Sequence, residues 1–302
     1  MSAEHQQAWI PAVIECIKLY LDEQVAQGKA KSTITNYRQR LEILTQFLAS
    51  QSVTTIDSVT PDVLKRYYQS RRDKGLKPHT IDTDARYIRA WLNYLVEIEI
   101  IDKSPMKKVK MPKLPKLQKP AYTVGDVKKL LSVANDKEEL IVMLLIDTGV
   151  RSTELCRLTA GDIDIGTGTV RVRSGKGGKD RTVFIGNSTR KCLIRYWRKH
   201  GKPQANEPLI RSMHGKDGFM TRSGMKYLIN ELGKKAGIGN CTVHRFRRTF
   251  AQWSRNNDMD IRDIQLLLGH SDIQTTVIYL GDDVAELKRK HNKFGPIDHS
   301  GI

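Results

Sequence analysis

DKSPMKKVKMPKLPKLQKP, residues 102–120, is the stretch that decides how the chain divides. It carries Pro105, Pro112, Pro115 and Pro120, four of the ten prolines in the chain, and seven lysines against one aspartate. Proline fixes φ and removes a backbone donor, so the composition predicts an extended, non-helical connection. Its lysines suit a phosphate backbone, and a plain solvated linker fits the same composition. The division expected is a domain over 1–101, a basic linker over 102–120 and a second domain over 121–302 with a tail at 280–302.

Upstream of the linker the pattern is helical. Tyr37, Leu41, Leu44 and Leu48 fall at helical spacing, as do Ile81, Ile88, Trp91, Leu92, Leu95 and Val96. Thr60-Pro61 reads as an N-cap followed by a first-turn proline. Helices are predicted over 7–27, 32–50, 61–75 and 78–100, with Lys29, Lys31, Lys74, Lys77 and His79 at the joints, which makes a small all-helical bundle with basic corners.

Downstream the pattern is mixed. Helices are predicted over 124–133, 137–148 and 152–158. The period then changes to that of strands over 169–173 and 181–185, joined by Ser174-Gly175-Lys176-Gly177-Gly178-Lys179-Asp180, whose glycines suit a hairpin loop. Residues 162–165 add a third strand, and helices return over 188–200, 223–236, 245–256 and 260–268. The fold class is mainly α with a small antiparallel sheet.

Composition narrows the function. Lys and Arg number 51 against 33 Asp and Glu, a net charge of +18, which favours a polyanionic partner, most simply nucleic acid. No apolar run approaches the ~18 residues of a membrane span. The N-terminus lacks a secretory pattern. Cys16, Cys156, Cys192 and Cys241 are widely spaced with no CxxC, which suits a reducing interior and a cytoplasmic, nucleoid-associated protein. There is no HExxH, EF-hand loop or zinc spacing, so no metal site is expected. Gly175–Lys179 is Gly- and Lys-rich but lies between two strands, which is the wrong context for a phosphate-binding P-loop.

Three cationic groups remain. In Thr148-Gly149-Val150-Arg151-Ser152-Thr153-Glu154, Gly149 permits a tight turn, and Glu154 sits one helical turn from Arg151, placed to orient its guanidinium. In His244-Arg245-Phe246-Arg247-Arg248, His244 and Arg247 share a helix face with Phe246 turned inward. In the third, Gly269 ends a helix and leaves His270 in the turn, and Tyr279 follows nine residues later. Singly, these read as a surface ion pair, a basic helix face and a half-buried core tyrosine.

In this order the groups match one family. The sequence resembles the tyrosine recombinases, or phage integrases, through GVRxxE at Gly149–Glu154, Lys176 in a hairpin turn, HxFR at His244–Arg247, and LLGHSDIQTT followed by Tyr279. The resemblance covers nearly the whole chain and favours an Xer-like or mobile-element member. It implies a SAM-like helical core-binding domain and a catalytic domain that together clamp duplex DNA in a C shape. A phosphodiester under attack gains charge on its non-bridging oxygens, and arginine forks match that geometry. The resemblance makes Arg151 and Arg247 the phosphate ligands, Tyr279 the nucleophile of a 3′-phosphotyrosyl intermediate, and Lys176 the general acid. His244 and His270 assist proton transfer and phosphate binding, and Glu154 orients Arg151. Since the covalent bond keeps the phosphodiester energy, neither ATP nor metal nor another cofactor is expected.

Lys179 competes with Lys176 for the acid role, and Lys179 and Arg181 read equally as phosphate contacts. The chain departs from many relatives in carrying Arg248 directly after the HxFR arginine, where a second histidine is common; this position reads as structural. The arm-binding domain of larger integrases is expected to be absent. Candidate contacts in the first domain are Lys29, Lys31, Lys77, His79, Thr80 and Arg89. For about 6–10 phosphate contacts, DNA affinity falls on the order of 10³–10⁵ between about 50 and 200 mM salt. The resemblance further implies double-stranded recombination sites as substrate and a four-protomer synapse linked through the 280–302 tail. It leaves room for a second recombinase or an accessory factor, and no membrane partner. A type IB topoisomerase shares this Arg/Lys/His/Tyr logic, and a non-catalytic DNA-binding protein of the same fold is the third reading.

Overall fold

The computed structural model describes residues 12–111, 120–173, 180–212 and 216–270. It divides into two units, Met1–Lys116 and Leu117–Ile302. In the first, α1 spans Val13–Ala26, α2 Lys31–Ser50, α3 Pro61–Asp73 and α4 Pro78–Glu97. Thr60 caps α3 as its sequence predicts, its Oγ1 accepting from the Val63 amide ahead of Pro61 at the first helical position. The apolar stripes of α2 (Leu41, Leu44, Leu48) and α4 (Ile81, Ile88, Trp91, Leu92, Leu95) are buried together. Each such side chain contributes about 1.5–3 kcal/mol on leaving water. The Trp91 indole donates to the Cys16 carbonyl at 3.3 Å, so the largest core residue keeps its polar atom paired.

One carboxylate sets the register of three helices. Asp84 of α4 is fully buried and accepts from Arg40 of α2 at 2.9 Å and Arg71 of α3 at 3.0 Å. Arg40 lies in the first half of α2, Arg71 near the end of α3 and Asp84 in the first half of α4. The α1–α2 and α3–α4 joints therefore share one end of the bundle, and with them its basic residues.

The start of the predicted linker is folded rather than extended. Pro105–Lys108 forms a 3-10 turn rather than extended chain. Met106 and Val109 are buried in the core of the helical bundle. The Tyr68 hydroxyl donates to the Met106 sulfur at 3.3 Å. A proline at the first position of a turn needs no donor and already has a suitable φ, so Pro105 starts the turn instead of forbidding it. Burial of Met106 and Val109 then outweighs the solvation of the lysines between them. Residues 112–119 lie outside the described residues.

In the second unit, α5 spans Val124–Val133, α6 Asp136–Thr148 and α7 Ser152–Leu155. The strands are β1 (Ile163–Asp164), β2 (Thr169–Val172) and β3 (Arg181–Phe184), followed by α8 (Asn187–His200), α9 (Arg222–Lys235), α10 (Val243–Asn256) and α11 (Ile261–Leu268). The sheet is antiparallel in the order β1-β2-β3, with Val170 opposite Val183 and Val172 opposite Arg181. This is the predicted architecture, mainly helical with a small hairpin-based sheet. The helix predicted over 152–158 is shorter, and the hairpin connection 174–179 lies outside the described residues.

Helix α6 is the central element. Asn135 and Glu138 form a reciprocal capping box at its start. Leu140, Ile141, Val142, Leu144 and Leu145 are buried on nearly all sides, as expected for a helix packed between α8 and α10. It stops at Gly149, which holds φ +60. Helix α11 buries Ile264 and Leu268 on a small cluster with Phe250 and Ala251 of α10, and its Leu267 also packs against the main core. Among the described residues no helix is long and apolar enough to cross a membrane.

Candidate active site

The site is built around the C-terminal end of α11. Three consecutive carbonyls there, which the helix leaves without internal partners, each take a different arginine. The Leu267 carbonyl accepts from Arg181 Nε at 2.8 Å, the Leu268 carbonyl from Arg247 Nη2, and the Gly269 carbonyl from Arg151 Nη2 at 3.1 Å. Cations at this pole also complement the helix dipole. Gly269 takes the left-handed conformation at φ +63, which turns the chain and places His270 beside the arginines.

Each guanidinium has a second anchor. Arg247, on the buried face of α10, donates to the Gly149 carbonyl at 2.7 Å, so the turn that ends α6 aims it. Arg151, at the N-cap of α7, donates from Nη1 to Glu154 Oε1 at 2.7 Å, and its backbone amide donates to Glu154 Oε2 at 2.7 Å. Arg181 grips both oxygens of the same carboxylate, at 2.9 and 2.7 Å. Burial alone would raise the Glu154 pKa, but the Arg181 bonds and the Arg151 amide overcome it and hold it at about 2. Glu154 is therefore ionised at any working pH.

His270 responds in the opposite sense. Burial and the charges of Arg247, Arg151 and Arg181 push its pKa down to about 4, with a smaller contribution from His244. Its imidazole is neutral at pH 7, able to donate from one nitrogen and accept at the other. A Gln265 bond from Nε2 to the His270 carbonyl, at 3.1 Å, steadies that backbone. His244 lies exposed in the first turn of α10, one turn ahead of Arg247 and within electrostatic reach of His270. Phe246 is fully buried, as its place in the motif predicts, and packs on Tyr122.

The structure thus brings together Arg151, Glu154, His244, Arg247 and His270. Lys176, Lys179 and Tyr279 lie outside the described residues. Arg181, expected as a DNA contact, is 11% exposed and donates to Glu154 and to the Leu267 carbonyl. Its acceptors lie 27 and 86 residues away in sequence, so no local pattern marks them. Arg245, read from sequence as part of a basic face, is also committed internally. It donates to the Pro120 and Ala121 carbonyls at 3.1 and 3.2 Å and lies over the Tyr122 ring, fastening the linker's exit to α10. Arg248 is half-buried.

In the first unit, Lys29 and Lys31 lie at the α1–α2 joint, Lys77 caps α4, His79 and Thr80 lie in its first turn, and Arg89 is further along it. All are exposed except Thr80, which is half-buried. Lys29, Lys31, Lys77, His79 and Thr80 occupy the bundle end where α2 and α4 begin, and the exposed amides of two helix N-termini add to its positive potential.

Comparison with known proteins identifies the family and the fold. Residues 122–286 match the phage integrase family, and residues 12–111 match the phage integrase SAM-like domain. The tyrosine recombinase XerA of Thermococcus kodakarensis is 31% identical over 291 residues, 93% of this chain and 94% of that protein. The tyrosine recombinase XerC of Bacillus pumilus is 29% identical over 290 residues, 90% of this chain and 93% of that protein. The fold matches a lambda integrase tetramer bound to a Holliday junction with a TM-score of 0.75 at 16% identity, over 91% of this chain and 79% of that one. The chain belongs to the phage integrase family, the tyrosine recombinases, enzymes of site-specific DNA strand exchange.

Proposed function

We propose that this recombinase cleaves and rejoins a specific duplex site through a phosphotyrosyl intermediate on Tyr279. The observation that carries this reading is the convergence of Arg151, Arg247 and His270 on the end of α11, nine residues ahead of Tyr279. In the proposed step the Tyr279 oxygen bonds to phosphorus while the bond to the 5′-oxygen breaks. The phenol proton leaves and the 5′-oxygen gains one. Two fixed guanidiniums stabilise the charge that grows on the non-bridging oxygens. A phenol of pKa about 10 attacks at neutral pH only where cations favour its anion, and these arginines supply them. Neutral His270 is a hydrogen-bond partner for the phosphate, His244 assists from the rim, and Lys176 protonates the leaving oxygen. The resulting bond conserves the phosphodiester energy, so religation runs the step backwards on a second 5′-hydroxyl.

DNA is held first by charge. The net charge of +18 and the basic end of the first unit, with Lys29, Lys31, Lys77 and His79, suit phosphate contacts along a duplex. A four-protomer synapse joined through the 280–302 tail, within the cytoplasm, completes the reading.

The test uses the purified protein and nicked fragments of its source genome, denatured so that only covalently held DNA is recovered and sequenced. A Tyr279-dependent adduct enriched at one roughly palindromic site is the expected result, with Tyr279→Phe retaining binding and losing the adduct. Adducts spread without enrichment would favour a topoisomerase, and an adduct in Tyr279→Phe would overturn the nucleophile.

A further inference from the structure

Glu154 accepts four hydrogen bonds: one from the Arg151 amide, one from the Arg151 guanidinium and two from Arg181. The charge balance of this cluster matters more than the bond count. Arg151 with Glu154 alone would sum to zero, and a guanidinium neutralised by its own carboxylate is a poor ligand for phosphate. Arg181 adds a second cation and takes both carboxylate oxygens, so the trio keeps one positive charge. The three side chains are not equally accessible: Glu154 is 5% exposed, Arg181 11% and Arg151 25%. The surplus is therefore presented to an incoming ligand by Arg151. Arg181 also ties this trio to α11 through the Leu267 carbonyl, and its stem packs where a Cβ on Gly269 would lie, with Cδ 3.0 Å away.

We propose that Arg181 is a positioning residue for strand cleavage: it neutralises and aligns Glu154 so that Arg151 meets the scissile phosphate as a free cation, and it locks that pair to the end of α11. The assignment rests on the recombinase reading above. It gives the residue a role beside the DNA contact expected for it, and it explains why an arginine stands there. A lysine, a point charge on a flexible stem, does not bridge two carboxylate oxygens and a carbonyl at once.

The test is a charge rescue. Arg181→Gln keeps a polar side chain but leaves Glu154 to neutralise Arg151. Covalent attachment to a nicked DNA site is expected to slow by about 100-fold or more, the scale of losing one charge-stabilising group. Affinity for the same DNA stays within about threefold. The double variant Arg181→Gln/Glu154→Gln removes the neutralising charge and is expected to recover about tenfold over Arg181→Gln. A merely structural Arg181 predicts the reverse, since Glu154→Gln removes further hydrogen bonds, and a double variant no faster than Arg181→Gln overturns the proposal. Should Arg181→Gln not fold, the double variant leaves no unpaired buried charge and is compared with Glu154→Gln alone. Attachment within about tenfold of that variant supports action through Glu154, and a further 100-fold loss refutes it.

A second readout needs no DNA. The His270 imidazole, followed by NMR among Arg247, Arg151, Arg181 and His244, is expected to titrate higher in Arg181→Gln and to return downwards in the double variant. No movement in either refutes the proposal. That titration pattern across the variants, together with a wild type that forms no Tyr279-dependent adduct, would overturn the phosphotyrosyl reading while Arg181's control of the site's charge stood.

Discussion

Replacing Gly149 with alanine tests how tightly the site depends on one turn. Gly149 holds φ +60, and an added Cβ would lie 2.5 Å from Phe250 Cδ1 and 2.9 Å from Leu268 Cδ2. The left-handed backbone costs an alanine about 1 kcal/mol. The contacts add about 1–3 kcal/mol, because Phe250 and Leu268 are packed and move only with their helices. The two effects together destabilise the second unit by about 2–4 kcal/mol. Gly75→Ala is the internal control: φ there is +71, and nothing lies within 4 Å of an added Cβ. It carries the backbone cost alone, about 1 kcal/mol. Activity should suffer more than stability, since the Gly149 carbonyl aims Arg247 and Leu268 seats α11. Urea unfolding of both variants gives the stability difference, and single-turnover attachment to a nicked site gives the activity. The expected pattern for Gly149→Ala is attachment slowed by about 100-fold or more with DNA affinity within a few fold. Equal behaviour of the two variants in both assays would refute the contact argument.

Two further predictions follow from buried charges. Asp84→Ala strands Arg40 and Arg71 and should destabilise the first unit by about 3–5 kcal/mol, read by thermal unfolding; an unchanged midpoint would show that the two arginines find water instead. The pH response comes from His270, whose folded pKa of about 4 lies below its ordinary 6.5. The unfolded chain takes up a proton that the folded chain resists, so stability contributed at neutral pH is lost as pH falls from 6.5 towards 4. Glu154, held at about 2, adds to that loss as pH falls below its ordinary 4.5. His270→Gln should flatten the upper part of this fall, and an unaltered profile in urea unfolding would assign it elsewhere.

Most helices were legible because they bury one face, and periodicity reports faces; α6, buried on nearly all sides, was legible from its apolar run. Residues 124–133 were bounded correctly, helped by the Thr123–Asp126 capping box that punctuates the start. The hairpin was legible from the change of period, and its third strand from the short run at 162–165. At two places the surroundings differ from what local composition suggests, for one reason. Met106 is apolar among prolines and lysines, and Arg181 is a cation beside a lysine-rich loop. Local composition set both expectations, and long-range partners decided both outcomes: Tyr68 lies 38 residues from Met106, and Glu154 and Leu267 lie far from Arg181. The cluster of site residues was legible from motif order, whereas the carbonyls that hold it carry no side-chain signal at all.

Those carbonyls make the site a keystone arch. Three guanidiniums lean on one helix end, and among the described residues that helix rests through Ile264 and Leu268 on Phe250 and Ala251 of α10. Unseating α11 would withdraw a support from Arg151, Arg181 and Arg247 together and displace His270 with them, so the centre has a complete state and a dismantled one with little between.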